Sequence, residues 1–521
     1  MRLRPDAVGG IQKFHDDILT WRRAHSRPRF AMPKRLIRDD GKAALGTMLI
    51  RLHMYQSTAD GLVCREYYEE LSSVEGTSRE PTPYPGKHSD AIAESIFENG
   101  AELVQDPDFG SLADEIDLAD VEEPFLQAAL ISKDTEERIH RLVQALGLRR
   151  LNDADRRKCF TVAISLLSLG FPETWSKDVG HQKQQWSRCE QYLPHVNALV
   201  QHGRENNSLA ENPDVWAELL LRCSWYLYEK EQYTYARTFT QTALRNFTSQ
   251  ETLAYASAID LLGLIDLDLN NPLQALSSFE TGFSVRRSLL APTDPLIAFA
   301  LNNLALVRTE LAELSEAEQL HQQAIQLRLQ NNSDRIGNSY SNYAVALLRM
   351  GKPNEAERIL MSCPSLQGCT DETFLQVDNP RFVGDMVLLS RIRHAQGRKG
   401  DALRLASKAL AWRQKVHGDR YKTCDSMYDV AFLLREQGQT ATALDLLDAL
   451  TRIAGALEAG EGHMARAEWK TSQILEAMGR SDDSRTHLEK AEALRKAFRT
   501  NAGDGITNES DWERLTPYML W

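Results

Sequence analysis

Asp178, His181 and Cys189 are the side chains whose types and spacing come nearest to nucleophilic chemistry. A cysteine–histidine nucleophile needs contact between the two side chains and a third group that orients the imidazole. The sequence guarantees neither contact, so a structural histidine in a corner between helices is the favoured interpretation. The motifs G-x-S-x-G, H-E-x-x-H, G-x-G-x-x-G and C-x-x-C do not occur in the chain. We therefore expect a protein that is not an enzyme.

Phosphate-binding and metal-binding patterns point the same way. A P-loop has the form G-x-x-x-x-G-K-[ST], because its backbone amides cradle phosphates, and the stretch 86–89 (GKHS) lacks the earlier glycine. Cys363 and Cys369 have no second ligand pair at metal-binding spacing. The net charge of -12 disfavours binding to phosphate backbones. The sequence therefore predicts no cofactor, no metal, no nucleotide and no nucleic acid.

Composition indicates a soluble chain: 42% of residues are hydrophobic and 26% are charged. No run of eighteen apolar residues could span a bilayer, and the N-terminal stretch MRLRPDAVGG lacks the apolar core of a secretion signal. Seven scattered cysteines are typical of reduced thiols. We expect a cytoplasmic protein without membrane contact, with a nuclear location as the alternative.

Small residues recur in phase from about residue 216 onward. Pairs of small residues seven apart stand at Ala236/Ala243, Ala275/Gly282, Ala317/Ala324 and Ala402/Ala409. Ala356 is followed at that interval by Cys363, and Ala443/Leu450 and Ser484/Ala491 are weaker copies. Twelve residues before each pair stands another small residue: Ser224, Gly263, Ala305, Ala344, Ser390, Ala431 and Ser472. The seven units start 39, 42, 39, 46, 41 and 41 residues apart. This regularity predicts seven structural repeats.

Residues seven apart lie two turns along one helix face, and two helices cross closely only where both side chains are small. Each unit is therefore predicted to be a helical hairpin. A single hairpin cannot bury its apolar face, so neighbouring hairpins stack into a solenoid. The predicted fold class is all-α: an α-solenoid of about seven hairpins with a helical region before it.

The pattern resembles the tetratricopeptide repeat, and a period near 42 resembles the long variant of kinesin light chains. Residues 301–305 (LNNLA) with Ala317 and Ala324 form the best copy, and the resemblance covers about 216–499. Ser224 and Cys363 depart from the small residues usual at their positions. A longer connection at 364–382 predicts a kink between the fourth and fifth repeats.

The resemblance implies a binding site on the concave face, which the first helix of each hairpin lines. In peptide-binding members, an asparagine two positions before the first small residue holds the backbone of the ligand. Asn303 and Asn342 occupy that position in the third and fourth repeats. Side chains on the same helices would add charge or apolar contacts: Arg349, Arg391, Arg435, Tyr428 and Phe432. We expect a protein or peptide partner in this groove.

The residues before the repeats resemble part of another architecture. The stretch 124–200 is predicted helical, and its runs EPFLQAALISKDTEERIHRLVQ and RRKCFTVAISLLSLGFPETW resemble the winged-helix end and connector of fungal STAND-type (NLR-type) proteins. The ending WERLTPYMLW resembles their tails. The nucleotide-binding module of that group is missing, because no P-loop occurs in the chain.

Four regions follow from these patterns: 1–123 is a poorly defined region with an acidic linker at 89–123, 124–205 is the connector, 206–499 is the repeat superhelix and 500–521 is a tail. The predicted function is a non-catalytic interaction scaffold or adaptor. One alternative is a degenerate STAND-type signalling protein that acts through 124–200. The other is an enzyme with an accessory solenoid, which would carry a polar pocket within 1–200. The sequence leaves the partner, the pathway and the oligomeric state open.

Overall fold

The computed structural model describes residues 131–133, 137–139, 152–174, 185–206, 212–331, 336–376, 380–498 and 509–517. The predictions for 1–123, including the acidic linker, lie outside these residues, and so do Asp178 and His181. Contacts divide the chain into two compact units. The first comprises 1–173, 184–223 and 242–248, and the second comprises 174–183, 224–241 and 249–521.

A short hairpin replaces part of the helix predicted for 124–200. Strands β1 (Ile131–Lys133) and β2 (Glu137–Ile139) pair antiparallel, with Ile131 opposite Ile139. The helical prediction was wrong over these six residues, which pair as two strands.

Helices form the rest of the described chain. The first unit contains α1 (Asp153–Gly170) and α2 (Trp186–Asn206). The following helices are α3 (Pro213–Glu229), α4 (Tyr233–Asn246), α5 (Leu253–Asp268), α6 (Pro272–Leu289), α7 (Pro295–Glu310), α8 (Leu314–Gln330), α9 (Ile336–Arg349), α10 (Pro353–Met361), α11 (Asp371–Gln376), α12 (Pro380–Ala395), α13 (Lys399–His417), α14 (Tyr421–Glu436), α15 (Thr440–Gly455), α16 (Glu461–Ala477), α17 (Ser481–Phe498) and α18 (Glu509–Glu513).

Seven helix pairs follow the predicted repeat. Repeat 1 is α3/α4, repeat 2 is α5/α6, repeat 3 is α7/α8, repeat 4 is α9/α10, repeat 5 is α12/α13, repeat 6 is α14/α15 and repeat 7 is α16/α17. The predicted longer connection between repeats 4 and 5 contains a 3-10 turn (Pro364–Leu366) and α11. The predicted all-α solenoid is thus confirmed in the described repeats.

Small residues at the helix crossings explain the close packing of the pairs. Ala236, Ala317, Ala402 and Ala443 are all fully buried. Apolar side chains of successive pairs then merge into continuous clusters, one across repeats 4 and 5 and another across repeats 5, 6 and 7. Each pair therefore depends on its neighbours for burial, as a solenoid requires.

Every pair turns through one residue in the left-handed conformation. These residues are Glu231, Asn270, Ala312, Gly351, Gly397, Gly438 and Gly479, and they recur at the intervals of the sequence repeat. The next amide donates back to the helix in each turn, as from Asn271 N to Asp266 O at 2.7 Å. Glycine adopts this conformation without strain, so the three other residues carry a cost of about 1 kcal/mol each. For two of them the side chain has a further role, described below.

Gly282 shows why one crossing uses glycine in place of alanine. Asp260 and Arg286 form a buried ion pair beside it, with 2.6 Å between Asp260 Oδ2 and Arg286 Nη1. A Cβ on Gly282 would stand 2.4 Å from Asp260 Oδ1. Burial raises the pKa of Asp260 to about 6, although Arg286 acts in the opposite direction. Repeat 2 therefore keeps an internal ion pair at its helix crossing.

Candidate functional site

The predicted groove asparagines lie on α7 and α9, side by side between repeats 3 and 4. Asn342 Nδ2 donates to Asn302 Oδ1 at 3.1 Å, which links the two first helices. Asn303 is 2% exposed and Asn342 is 6% exposed. Both side chains are therefore buried between the helices, and Asn342 already uses one donor inside the protein.

Asn303 differs from Asn342 in its partners. Its Nδ2 group is buried and has no hydrogen-bond partner among the described atoms. A buried donor without an acceptor costs about 1–3 kcal/mol, and native proteins rarely leave one unpaired. The donor of Asn303 is thus one of several buried polar groups of repeats 3 and 4 without a partner among the described atoms, together with Ser339 Oγ and both ring nitrogens of His321.

Two of the predicted arginines form internal ion pairs. Arg391 binds Asp429 through Nε and Nη2 at 3.1 and 3.3 Å, and this links repeats 5 and 6. Arg349 donates to the carbonyl of Thr309 and lies 3.8 Å from Glu310. Both guanidinium groups therefore hold neighbouring first helices together. Arg435, near the end of α14, is partly exposed.

Tyr428 and Phe432 line a cleft with three side chains of α16. Arg466 lies 4.0 Å from the centre of the Tyr428 ring, and Lys470 Nζ lies 5.1 Å from the centre of the Phe432 ring. Trp469 lies beside Lys470, with Nζ 4.6 Å from its ring centre. We name this set (Tyr428, Phe432, Arg466, Trp469 and Lys470) the α14–α16 cleft. It combines aromatic faces with two cations.

The C-terminal residues 509–517 fill the α14–α16 cleft. The Trp512 ring stacks on Trp469 with centres 5.8 Å apart and planes 7° from parallel. Leu515 is 1% exposed, and its carbonyl oxygen would stand 2.3 Å from a Cβ at Gly462. The close approach of the segment to α16 is thus allowed because residue 462 has no side chain.

Acidic side chains of α18 meet the cations of the cleft. Lys470 Nζ lies 2.7 Å from Glu509 and 3.5 Å from Glu513. Glu513 also accepts from the Tyr428 hydroxyl at 2.5 Å and lies 3.8 Å from Arg466. Lys470 is 1% exposed, and a buried cation needs such partners. Burial and Glu513 raise the pKa of Tyr428 well above its usual value.

Asp425 lies against Arg466, one of the two cations of the cleft. Its carboxylate lies 2.9 Å from Arg466 and 3.2 Å from His463. Burial alone would raise the pKa of Asp425, but His463, Arg466 and Arg413 together hold it well below the usual value. The charged carboxylate therefore orients the Arg466 guanidinium over the Tyr428 ring.

The turn of repeat 1 contacts the start of α14 in repeat 6. Lys422 N, at the start of α14, donates to Glu231 Oε2 at 3.0 Å. The Tyr233 and Tyr421 rings lie 5.1 Å apart beside this bond. Burial raises the pKa of Glu231, although Lys422 opposes the shift. Repeats 1 and 6 are therefore in direct contact within the second unit, although 191 positions separate the bonded residues.

Sequence reasoning identified Tyr428 and Phe432 but missed the α16 side of the cleft. Lys470 occupies the position equivalent to Asn303 and Asn342, which was the available signal. The acids around Trp512 were a second signal, because their charge complements Arg466 and Lys470. The expected contacts of the seven predicted residues with a partner stay predictions.

The described residues contain neither a candidate metal site nor a helix that could span a membrane. No group of three or more histidine, cysteine or acidic side chains there is arranged to hold a metal ion. None of the helices described is both long enough and apolar enough to span a bilayer.

Comparison with protein families identifies part of the array. The tetratricopeptide-repeat (TPR) family matches residues 254–330 and 296–363, which span repeats 2 to 4. These repeats are tetratricopeptide repeats. Peptidase family M49 matches residues 11–82, outside the described residues. No curated protein gives a significant match to the chain.

Several solved structures align with this chain at low similarity. The Rap conjugation gene regulator of plasmid pLS20, in complex with the Phr* peptide, has 14% identity and a TM-score of 0.43 over 85% of this chain and 98% of that one. The quorum sensor NprR from B. thuringiensis has 11% identity and a TM-score of 0.37 over 60% and 97%. Kinesin-light-chain TPR-like repeats from Podosopora anserina have 14% identity and a TM-score of 0.23 over 47% and 98%. At these values the alignments carry no functional argument.

Proposed function

We propose that the protein is a non-catalytic interaction scaffold that binds an extended peptide of a partner protein along the first helices of its TPR array. An extended peptide carries unpaired backbone N–H and C=O groups, and a groove that pairs them binds without regard to most side chains. The lining of repeats 3 and 4 offers amide groups of the required kind. No cofactor, nucleotide, nucleic acid or membrane enters this proposal.

The observation that carries the proposal is the unpaired Nδ2 donor of Asn303. Asn342, one repeat on, uses its amide to bind Asn302, so the neighbouring helices are already fixed relative to each other. A peptide carbonyl at Asn303 would satisfy the buried donor without breaking any internal bond. Binding there gains a hydrogen bond, offset by the reorganisation that exposes an amide only 2% accessible in the structure.

The arginines contribute less than the sequence suggested. Arg349 and Arg391 would have to leave Glu310 and Asp429 before they could bind a ligand carboxylate. Arg435 lies at a partly exposed position on α14 and is the better candidate for charge complementarity. We therefore assign the binding energy mainly to backbone hydrogen bonds and apolar contacts.

The experiment is affinity purification with mass spectrometry on the intact chain, an Asn303→Ala variant and a Gln323→Ala variant. Gln323 is exposed on α8 in the same repeat, so it controls for loss of an amide outside the groove. We expect a partner that the intact chain and Gln323→Ala recover and Asn303→Ala loses. Circular dichroism of the three proteins checks that all are folded. Equal recovery by all three would reject the site in repeats 3 and 4.

Peptidase activity is the second candidate, and the match of residues 11–82 to family M49 favours it. The TPR array would then be an accessory that delivers a substrate. The test incubates the intact chain with a panel of peptides and follows cleavage by mass spectrometry. Specific cleavage that a chain lacking 11–82 cannot perform would replace the scaffold proposal. Unchanged peptides would leave the scaffold proposal in place.

A further inference from the structure

The tail segment 509–517 joins two parts of the TPR array that lie far apart in sequence. Its acids and Trp512 contact repeats 6 and 7 through the α14–α16 cleft. Arg514 of the tail contacts repeat 2, because Asn270 Nδ2 donates to the Arg514 carbonyl oxygen at 2.9 Å. An asparagine amide thus holds the backbone of this segment in the way expected for a bound peptide.

Asn270 is also one of the three turn residues that are not glycine. Its φ is +60°, where glycine would be free of strain. Glu231 is also a turn residue in the left-handed conformation, with a φ of +56°, and its carboxylate accepts a hydrogen bond from the Lys422 amide. Two of the strained turns therefore present side chains that reach repeat 6 or the tail. Nothing in the structure explains the third, Ala312.

The contacts of the tail are those of a ligand with a docking site. The cleft contributes cations and aromatic faces, and the tail contributes acids, a tryptophan and a backbone carbonyl. Glu509 and Glu513 remain 61% and 37% exposed, so their ion pairs are only partly desolvated. A helix of five residues has little stability on its own, and ordering it on docking costs conformational entropy. These features favour exchange between a docked and a released tail.

We propose that residues 509–517 are an internal ligand of the α14–α16 cleft and that they exclude a partner from this end of the groove until they are displaced. This inference rests on the proposed function and adds regulation to it. A competing segment needs the chemistry of the tail: an aromatic side chain that stacks on Trp469, and flanking acids for Arg466 and Lys470. Partner binding then requires release of the tail, which lowers the apparent affinity in proportion to the released fraction.

Gly462 offers a substitution whose main clash is with the docked tail. An added Cβ meets Leu515 O at 2.3 Å and the Phe498 ring at 3.2 Å. Alanine favours the helical conformation of α16 more than glycine does. Gly462→Ala is therefore expected to weaken docking of the tail, in cis or in trans, while the helix stays intact.

The experiment measures binding of a fluorescent peptide of residues 505–521 by anisotropy to three full-length chains. The first is the intact protein. The second carries Trp512→Ala and Leu515→Ala, which release the tail and leave the cleft unchanged. The third adds Gly462→Ala to these two changes. A peptide with Trp512→Ala serves as the ligand control.

We expect the second chain to bind the peptide at least about tenfold more tightly than the intact chain, because its own tail no longer competes. The third chain and the control peptide should show no binding at the same concentrations. Equal binding to all three chains would place the peptide elsewhere and overturn the inference. No binding to the second chain would make the tail a permanent part of the fold, which also overturns it.

Thermal unfolding followed by circular dichroism shows whether the variants are folded. If the double variant unfolds, Glu509→Lys with Glu513→Lys takes its place, because like charges opposite Arg466 and Lys470 release the tail without emptying an apolar site. This charge-reversal variant is also expected to bind the peptide at least about tenfold more tightly than the intact chain. The readout needs no partner, so failure of the Asn303 test rejects the proposed function and leaves the tail result to be judged separately.

Discussion

Repeats 3 and 4 and repeats 6 and 7 use the same helix position in different ways. In repeats 3 and 4 the position holds Asn303 and Asn342, and the Asn303 donor has no partner among the described atoms. In repeat 7 it holds Lys470, whose charge the tail neutralises. One scaffold thus offers an unpaired hydrogen-bond donor in its middle and a site filled by its own chain at its end. The comparison shows that the position recurs structurally while its chemistry is set repeat by repeat.

The largest expected effect is on the cation site of repeats 6 and 7. Asp425→Asn removes the charge that orients Arg466 and His463, and breaking a buried pair costs about 3–5 kcal/mol of unfolding free energy at pH 7. The folded pKa of Asp425 is lowered, so its contribution is present above the unfolded value of about 3.9 and is lost as pH falls through the folded value. Urea unfolding of both proteins at pH 7 and at pH 3.5 should show a smaller difference at acid pH.

Asp448→Asn is the matched control, because Asp448 is 74% exposed and its ion pair with Arg452 lies on the surface. Such pairs contribute at most about 1 kcal/mol. An equal loss of stability in the two variants would mean that Asp425 does not act through a buried site.

The next effect tests whether the two regions share one scaffold. Ala317→Leu in repeat 3 and Ala443→Leu in repeat 6 both overpack fully buried crossings. Each is expected to lower the unfolding free energy by about 1–3 kcal/mol. Chemical denaturation measures both changes. A cost confined to one repeat would show that the difference between the regions lies in helix packing as well as in the side chains that line the groove.

The smallest effect separates the two asparagines. Asn342→Ala removes a buried hydrogen bond and leaves Asn302 Oδ1 without that donor, which costs about 1 kcal/mol. Asn303→Ala removes a buried donor without a partner, so the unfolding free energy should not fall and is expected to rise by up to about 1 kcal/mol. Denaturation curves of the two variants give the comparison. A larger cost for Asn303→Ala would reveal an internal role for its amide.

The repeats could be predicted from the sequence because helix crossings demand small residues at fixed intervals. Ala317 and Ala324 are buried for that reason. The left-handed turns fall at the same intervals, yet only four of the seven are glycines, so residue type alone did not reveal Glu231 and Asn270 as turn residues. Their side chains act at long range, and periodicity carries no information about such contacts.

The filled cleft could not be predicted for the same reason. Tyr428 and Phe432 were placed on the lining by their helix positions, but their contacts come from Lys470 and from a segment beyond the last repeat. The pairing of Arg391 with Asp429 also depends on the superhelical rise between repeats, which a period of residues does not define. The hairpin at 131–139 was missed because its apolar residues also fit a helix.

The most direct test of the central claim is the affinity of the intact chain for a peptide from the partner that affinity purification recovers. Fluorescence anisotropy would compare the intact chain with Asn303→Ala and Gln323→Ala. The account predicts an affinity about tenfold weaker for Asn303→Ala, equivalent to about 1.4 kcal/mol for one buried hydrogen bond, and no change for Gln323→Ala. Equal affinities for all three chains would contradict binding at the lining of repeats 3 and 4.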